Sequence, residues 1–502
     1  MVRRALAMAA GEQYLRLLIN FVLIATISRL LTPSEFGVSV IGTGIMAIAL
    51  GLREFATSDF LIQRQEVARE DVRTSFTLAF LLTVLITVAM FALAPWFGTL
   101  YGENGLASFV RIAAVSGLVE AVSLPIRGLL RRDLEFGTLA IVNTASAITT
   151  AAVTIVLALA GFSYMSVAWA KLASAATTTA LSFYFRPDLS ILRPAVVSWG
   201  SVLAFGGYSG ASFVINRAYE SLPQLVLGQL LPHSAVGLYN RAQTVSDIPD
   251  RIVLTSVFSV AFPAFAAEIR SGRSLKEPYL RALGYITVFY WPALILLTIL
   301  ADPVVSLFLG AQWRSVTPLL QVMAIAGLAW FPVLLTSPVL LAVSANRDRV
   351  LADLLGRSVS AAILCASASF GIMAMAVSKL VTLPFQMIIS FCFVRRHICF
   401  RWSEVAVALW RSAVVMLGSA AGPACVVAFS DGGFDLSIGA SLLAMLLAVI
   451  GWLTAVLAVQ HPVLLELGRA RDHLSEVLRP KLFGLPRAGH GARPEGQGAR
   501  TV

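Results

Sequence analysis

The sequence predicts an all-α, polytopic membrane protein with about fourteen transmembrane helices. Three observations support this fold class: the composition, the length of the apolar runs and the alternation of charge between loops. Of the 502 residues, 58% are hydrophobic and only 13% are charged, whereas a soluble domain carries about 25% charged residues. The mean hydropathy is +0.82. Lipid is therefore expected to be the solvent for most side chains.

Apolar runs long enough to cross the hydrocarbon core, which needs about 20 helical residues, occur fourteen times. Two loops, 60–72 and 265–279, mix apolar and charged residues at helical spacing, which predicts helices along the membrane surface. The predicted spans cover residues 8–31, 36–55, 75–97, 106–129, 136–160, 162–185, 201–231, 234–262, 282–308, 316–343, 350–369, 371–394, 408–430 and 436–460.

Loop charge predicts the orientation of the chain. Arginine and lysine collect in alternate loops, and the intervening loops contain a single basic residue, Arg314, together with acidic residues. Because cytoplasmic loops carry the excess of basic residues, this pattern places both termini in the cytoplasm. The loops on the other side are short, so no large external domain is expected. The first run follows Arg3 and Arg4 without a clear cleavage site, which favours a retained span over a signal peptide.

The chain contains an internal repeat. Residues 30–38 resemble residues 230–238, an offset of 200, and later the offset is 208, which relates Lys171 to Lys379. Spans 1–6 and 7–12 are therefore predicted to be two parallel copies of one unit, an arrangement in which transporters hold their substrate between the halves. The predicted units are a six-helix bundle at 1–200, a second at 201–400, two additional helices at 401–464, and a basic, disordered tail at 465–502.

Ionisable residues lie within two of the apolar runs, between Phe213 and Arg251. Charge is costly in a bilayer and persists where it is paired or faces a water-filled cavity. Two interpretations stay open: a salt-bridge cluster between packed helices, or a solvated substrate or ion cavity. Pro223 and Pro249 are expected to interrupt the two helices. The candidate ion-coupling or charge-pairing residues are Glu220, Asp247, Asp250, Arg251 and Glu120.

Basic residues deep within predicted spans are candidates for binding a substrate. A central cavity with an excess of positive charge suits an anionic substrate, because arginine and lysine both bind phosphate well. Since two of these lysines occupy equivalent positions in the repeat, we predict that they face each other across the cavity. The candidate substrate-binding residues are Arg16, Lys171, Arg217, Arg241 and Lys379.

Neither nucleic-acid binding nor catalysis is indicated by the sequence. The net charge of +11 is spread over many loops instead of forming one patch, which argues against nucleic acid. The sequence lacks GxxxxGK[ST], HExxH and a metal-spaced histidine cluster. The four cysteines form no CxxC pair and predict neither a disulfide framework nor a metal site. We therefore predict no catalytic residue, no cofactor and no metal.

A series of short stretches occurs in a fixed order between about residues 10 and 400: LLTPSEFG (30–37), FLIQRQE (60–66), LLRRDLEF (129–136), GLYNRAQ (237–243), FPAF (262–265), LGAQW (309–313) and the turn at 346–350. Together they resemble the bacterial polysaccharide flippases of the Wzx type, within the multidrug/oligosaccharidyl-lipid/polysaccharide exporter superfamily. The resemblance implies two six-helix bundles that form a V around a cationic cavity. It also implies transfer of an undecaprenyl-diphosphate-linked oligosaccharide across the bacterial cytoplasmic membrane.

This resemblance assigns expected roles and partners. Arg217, Arg241, Lys171 and Lys379 would contact the diphosphate, and the acidic candidates would bind a coupling ion or hold the arginines in place. The expected partners are the lipid-linked oligosaccharide, membrane lipids and a polysaccharide polymerase or export machinery. One alternative is a multidrug-type exporter of small molecules or cations, which would favour an acidic and aromatic cavity. Another is a membrane polysaccharide polymerase or ligase, which would need a large external loop.

Overall fold

The computed structural model describes residues 2–53, 69–195, 197, 199–252, 265, 268–430 and 433–464. These residues form helices joined by short turns, without strands, and ten of their helices are long and apolar enough to cross a membrane. The all-α membrane fold is therefore confirmed, whereas the count of fourteen spans stays a prediction. The predicted tail at 465–502 and most of the predicted surface helix at 60–72 lie outside the described residues.

Six helices occupy the first six predicted spans. The repeated motif at 30–38 begins the second of them. There the Glu35 carboxylate accepts a hydrogen bond from the Thr32 amide at 2.8 Å, and the Thr32 hydroxyl accepts one from the Glu35 amide at 3.3 Å. This capping box and Pro33 at the first helical position fix the start of the helix. The helices are α1 (Val2–Leu30), α2 (Pro33–Gly51), α3 (Arg69–Leu100), α4 (Asn104–Arg132), α5 (Phe136–Leu159) and α6 (Met165–Phe185).

Within the described residues, nine further helices with defined bounds lie in the remaining predicted spans. Short helical turns at Leu189–Leu192, Ala301–Val304, Val305–Leu309 and Ala311–Val316 connect some of them. The helices are α7 (Trp199–Leu230), α8 (His233–Ser246), α9 (Lys276–Ile299), α10 (Thr317–Gly327), α11 (Val333–Ala342), α12 (Asn346–Ala368), α13 (Ile372–Arg395), α14 (Trp402–Ala428) and α15 (Ile438–Ala458).

Two expectations about where helices are interrupted are corrected by the structure. Helix α7 continues through Pro223, so the expected interruption there is wrong, whereas α8 ends at Ser246, just before Pro249. The predicted tenth span is instead two helices, α10 and α11, separated by 328–332. Pro332 explains this break, because it lacks an amide hydrogen and disfavours the helical conformation of the residue before it.

Helix packing recurs between the first six helices and the following ones. Helix α1 packs on α5, α2 on α4, α3 on α4, α4 on α6, and α5 on α6. The related pairs α7–α12, α8–α10, α9–α10, α10–α13 and α12–α13 are also in contact. Helices α14 and α15 pack on each other, and α14 packs on α9. Two copies of one unit would produce this recurrence, and the division at 1–200, 201–400 and two additional helices stays a prediction.

The two sets of helices meet where α2 crosses α8. The crossing involves repeat-related glycines: a Cβ on Gly37 would overlap the carbonyl oxygen of His233, and a Cβ on Gly237 would overlap that of Pro33. The backbones are therefore in direct contact, which only glycine permits. We call this crossing, with the adjoining contacts of Ser28 and Leu31 to the Trp313 segment, the outer contact. In it the Trp313 indole donates to the Ser28 carbonyl at 2.5 Å.

Loops predicted to share a membrane side contact each other. At one end the Ser163 hydroxyl donates to Glu35 at 2.6 Å. At the other end the Arg186 guanidinium contacts Asp133 at 2.6 Å. The grouping of loops therefore agrees with the alternation of charge, and the assignment of the basic end to the cytoplasm stays a prediction.

Topology reporters test that assignment. We expect fusions after Gly102, Gly310 and Ser430 to report an external location, and fusions after Arg132 and Arg396 to report an internal one, because basic loops are retained in the cytoplasm. Paired reporters active on opposite sides of the membrane provide the measurement. An external signal after Arg396 would show that the number of spans before it is odd.

Candidate substrate cavity

A polar cavity of about 430 Å³ lies among α7, α8, α12 and α13, next to the break between α10 and α11. A second cavity of about 270 Å³ shares Glu220, Asp250, Trp330 and Arg357 with it. The two cavities are therefore adjacent and share part of their walls. Six charged residues line the larger cavity: Glu220, Asp247, Asp250, Arg251, Arg357 and Lys379.

A chain of three side chains forms one wall of the cavity. Lys379, only 8% exposed, donates from its ammonium to the Gln243 carbonyl oxygen. The Gln243 amide nitrogen lies 3.0 Å from each oxygen of Asp247. The glutamine therefore links a buried cation to a carboxylate without placing them in direct contact, which leaves donors of the ammonium available to the cavity.

Asp250 lies near this wall, close to the break between α10 and α11. Its Oδ1 atom is buried and has no hydrogen-bond partner among the described residues, and a hydrogen bond connects its side chain to Trp330. A buried carboxylate with an unmatched oxygen is costly in its ionised form. Asp250 is therefore suited to take up a proton or a cation, as the sequence predicts for an ion-coupling residue.

Arg357 is a charged cavity residue that sequence reasoning missed. Its Nε atom lies 3.7 Å from Asp353, and its guanidinium lies 5.4 Å from the centre of the Tyr219 ring. The Tyr219 hydroxyl accepts a hydrogen bond from Gln386 at 3.0 Å. The criterion that selected Lys379, a basic residue within a predicted span, applies equally to Arg357 within 350–369 and would have found it.

Positive and negative charges are balanced in this cavity. Its described lining contains three acidic residues and three basic ones. The expected excess of positive charge is therefore wrong for this cavity. Ionised groups of both signs still provide hydrogen-bonding partners for a ligand that carries both phosphate and sugar hydroxyls.

Arg241, a predicted substrate-binding residue, lies at the outer contact and not among the residues lining the cavity. It is 3% exposed, and its guanidinium carbon lies 3.7 Å from the centre of the Phe36 ring and 5.5 Å from that of Trp313. Its Nε and Nη2 atoms have no hydrogen-bond partner among the described residues. The observed contact is a cation–π interaction between repeat halves.

Lys171 lies in the first six helices, apart from the residues that line the cavity. Lys171 donates to the Thr43 hydroxyl at 3.3 Å, and Thr43 is related to Gln243 by the offset of 200. The lysine contact is thus repeated in both halves. Lys171 is not among the residues lining the cavity described above, so the prediction that it faces Lys379 stays a prediction.

Two further predicted residues form ion pairs in the first six helices. Glu120 contacts Arg53 at 2.8 Å and Arg127 at 3.3 Å. Arg16 lies 3.6 Å from Glu12 on the same helix, an i,i+4 pair that does not bring it to the other candidates.

Arg217 and Glu220 form an ion pair at 3.0 Å on one face of α7. About half of each side chain is exposed, at 46% and 56%. Glu220 lines the cavity, and Arg217 is not among the lining residues.

Exchanging these two charges tests the predicted role of Arg217. If Arg217 binds phosphate, the double variant Arg217→Glu with Glu220→Arg loses polymer export, because the guanidinium moves by one helical turn. Arg217→Lys should lose part of the activity, since lysine keeps the charge but not the two-pronged geometry. Export is measured in a strain without the native gene, with membrane abundance checked by blot. Full export by the exchanged variant would assign both residues to charge pairing alone.

Comparison with known families agrees with this arrangement. A family described as polysaccharide biosynthesis protein matches residues 26–318, which is more than half of the chain. The chain belongs to this family. The resemblance to Wzx-type flippases drawn from the short stretches is thereby confirmed.

Two curated relatives are similar to the chain over part of their length. The chain is 27% identical to the lipopolysaccharide biosynthesis protein WzxC of Escherichia coli (strain K12) over 314 residues, 62% of this chain and 63% of WzxC. It is 26% identical to the succinoglycan biosynthesis transport protein ExoT of Rhizobium meliloti (strain 1021) over 313 residues, 61% of this chain and 62% of ExoT. The matched region thus spans less than two thirds of these relatives.

The similarity to solved structures covers more of the chain than the similarity to these relatives does. The lipid II flippase MurJ in an inward closed conformation superposes with a TM-score of 0.71 at 10% identity, covering 90% of this chain and 98% of MurJ. An inward-facing multidrug resistance transporter of the MATE family superposes with a TM-score of 0.59 at 15% identity, covering 78% of this chain and 95% of the transporter. The fold is therefore that of these transporters.

Proposed function

We propose that the protein is a flippase that moves undecaprenyl-diphosphate-linked oligosaccharide repeat units across the bacterial cytoplasmic membrane, for exopolysaccharide or lipopolysaccharide synthesis. The observation that carries this proposal is the polar cavity, which Arg251, Arg357 and Lys379 line within the helices. The names of WzxC and ExoT support the same substrate class. No covalent chemistry is needed, because the lipid-linked unit changes leaflet without changing bonds.

The proposed mechanism is alternating access. The outer contact between α2 and α8 closes the predicted external side, so a substrate would enter the cavity from the cytoplasmic side. Its diphosphate would contact Lys379 and Arg357, and its sugars would contact amides and carboxylates such as Gln243 and Asp247. Rocking of the two halves would then separate Gly37 from Gly237 and release the unit outside.

Ion coupling in this proposal depends on the acidic residues of the cavity. Asp250, with its unmatched buried oxygen, would bind a proton or cation while the cavity faces one side and release it on the other. Asp247 and Glu220 would contribute negative charge to the cavity while Asp250 binds and releases the ion. Location in the cytoplasmic membrane with both termini inside, and association with a polymerase or export machinery, belong to the same proposal.

Deletion of the gene in its own host tests the proposed function. We expect surface polymer to disappear and undecaprenyl-diphosphate-linked repeat units to accumulate in the membrane, because synthesis continues on the inner leaflet while transfer stops. The measurements are polymer on the cell surface and lipid-linked oligosaccharide in membrane extracts, with a complemented strain as the control. Unchanged polymer, or loss of polymer without accumulation of the lipid-linked unit, would contradict the proposal.

A second candidate, a multidrug-type exporter of organic cations, is favoured by the acidic residues of the cavity. Glu220, Asp247 and Asp250 line it beside the aromatic side chains of Tyr219 and Trp330. Growth of the deletion strain with ethidium tests this alternative. Increased sensitivity to ethidium with normal polymer would support the exporter over the flippase.

A further inference from the structure

A second charged pocket lies apart from the cavity, at the predicted cytoplasmic end of the first six helices. It has a volume of about 340 Å³ and is formed by the start of α3, the end of α4 and the loop after α6. Its floor contains the buried apolar side chains of Val72 and Ile191. The charged residues that line it are Arg69, Arg73, Arg132, Arg186, Asp133 and Asp188. We call it the inner arginine pocket.

Internal contacts fix the walls of the inner arginine pocket. The Arg186 guanidinium contacts Asp133 at 2.6 Å, and the Arg73 Nε donates to the Ser190 carbonyl at 2.9 Å. Asp188 accepts hydrogen bonds from the Ser190 amide at 3.1 Å and from the Ser190 hydroxyl. These contacts hold the loop after α6 against α3 and α4, so the pocket is built by the fold and not by loose surface side chains.

Basic groups outnumber acidic groups in the described lining of the inner arginine pocket. Hydrogen bonds from Ser190, with nearby Arg69 and Arg186, hold the pKa of Asp188 below its usual value, so this carboxylate is ionised at neutral pH. The described lining contains four guanidinium groups and two carboxylates.

We propose that the inner arginine pocket binds a phosphate group. Four guanidinium groups line the pocket, and guanidinium groups bind phosphate oxygens through paired hydrogen bonds. The pocket lies at helix ends on the predicted cytoplasmic face, where basic pockets meet the headgroups of anionic lipids. The phosphate belongs either to a lipid headgroup or to a free anion, and this binding is separate from the transport cavity.

Thermal unfolding of the purified full-length protein in neutral detergent tests the proposal with two probes. The first is inorganic pyrophosphate, and the second is short-chain phosphatidylglycerol compared with short-chain phosphatidylcholine. We expect pyrophosphate or phosphatidylglycerol to raise the unfolding temperature of the wild type, less so at high salt, since partly exposed charges are screened. A response to phosphatidylglycerol alone assigns the phosphate to a lipid, and a response to pyrophosphate alone assigns it to a free anion.

The double variant Arg69→Gln with Arg132→Gln identifies the site. We expect it to raise the apparent dissociation constant of the active probe at least about tenfold, as the loss of a charge-assisted hydrogen bond does. Arg131→Gln, next to Arg132 but outside the lining, is the matched control and should bind as the wild type does. The single variant Arg69→Gln, at the exposed start of α3, serves if the double variant does not fold.

Three results would overturn this proposal. The first is that neither probe shifts the unfolding temperature of the wild type. The second is that the double variant retains the full shift, which would place the anion elsewhere, for example in the transport cavity. The third is that Arg131→Gln loses as much binding as the double variant, which would show that the probe responds only to surface charge.

Discussion

Replacement of Gly37 by alanine is expected to abolish polymer export, and Gly237→Ala is expected to do the same. In each case the added Cβ would overlap a carbonyl oxygen of the opposite helix, in His233 or Pro33. Backbone atoms cannot rotate away as a flexible side chain can. Overpacking of this kind costs about 1–3 kcal/mol, and here the cost falls only on the state in which the outer contact is closed. The equilibrium would then shift roughly ten- to hundredfold toward the outward-open state.

Opening of the outer contact can be followed by the labelling of an introduced cysteine. Ser28 is fully buried at this contact, and Ser28→Cys is a small change in a background without the four native cysteines. Labelling by a membrane-impermeant thiol reagent should be slow with glycine at 37 and faster in the Gly37→Ala variant. Gly439→Ala is the matched control, because a Cβ there meets no atom within 4 Å. Normal export by Gly37→Ala at normal abundance would contradict the assignment of this crossing to transport.

The second large effect is expected from Lys379→Met. Methionine keeps the length of the side chain and removes the charge, so the packing of α13 changes little while the cavity loses a cation. Loss of a charge-assisted hydrogen bond to a ligand costs about 1.5–3 kcal/mol, so export should fall by more than about tenfold. Polymer export by the variant in a strain without the native gene gives the measurement, normalised to protein abundance in the membrane.

Lys171→Met is the matched control for this experiment. It is the same substitution at the repeat-related position, where the ammonium contacts Thr43 and does not line the described cavity. A smaller loss of export is expected from it. An equal loss would show that both lysines contact the substrate, as the repeat predicts. Normal export by Lys379→Met would remove this lysine from the proposed binding site.

Hydropathy predicts the fold of this chain well, because lipid imposes one requirement along its whole length. Each predicted span contains a helix, since a backbone in lipid must satisfy its hydrogen bonds within the segment. The presence of a proline alone did not predict where a helix ends. Pro223 stays within α7, whereas the chain leaves the helix before Pro332. A proline inside a helix removes one hydrogen bond, and surrounding packing decides whether the helix continues.

The candidate site was less predictable, because charge within a span does not tell which neighbour it meets. Arg241 satisfied the same criterion as Lys379, yet it lies on Phe36 at the outer contact. That contact joins residues about 200 positions apart, and no pattern within one helix encodes it. Gln243 was missed since a neutral amide gives no signal in a search for charge, although it connects Lys379 to Asp247.

If Lys171 and Lys379 face one cavity, as the repeat predicts, their contacts would set how many orientations a bound anion can adopt. In a cavity with an exact twofold axis, a diphosphate would have two equivalent poses of equal energy. Here the copies have diverged: Lys171 donates to the Thr43 hydroxyl, whereas Lys379 donates to Gln243, which in turn donates to Asp247. The two poses would therefore be electrostatically different. A ligand that is itself asymmetric, with a lipid at one end and a sugar at the other, would then bind in one direction.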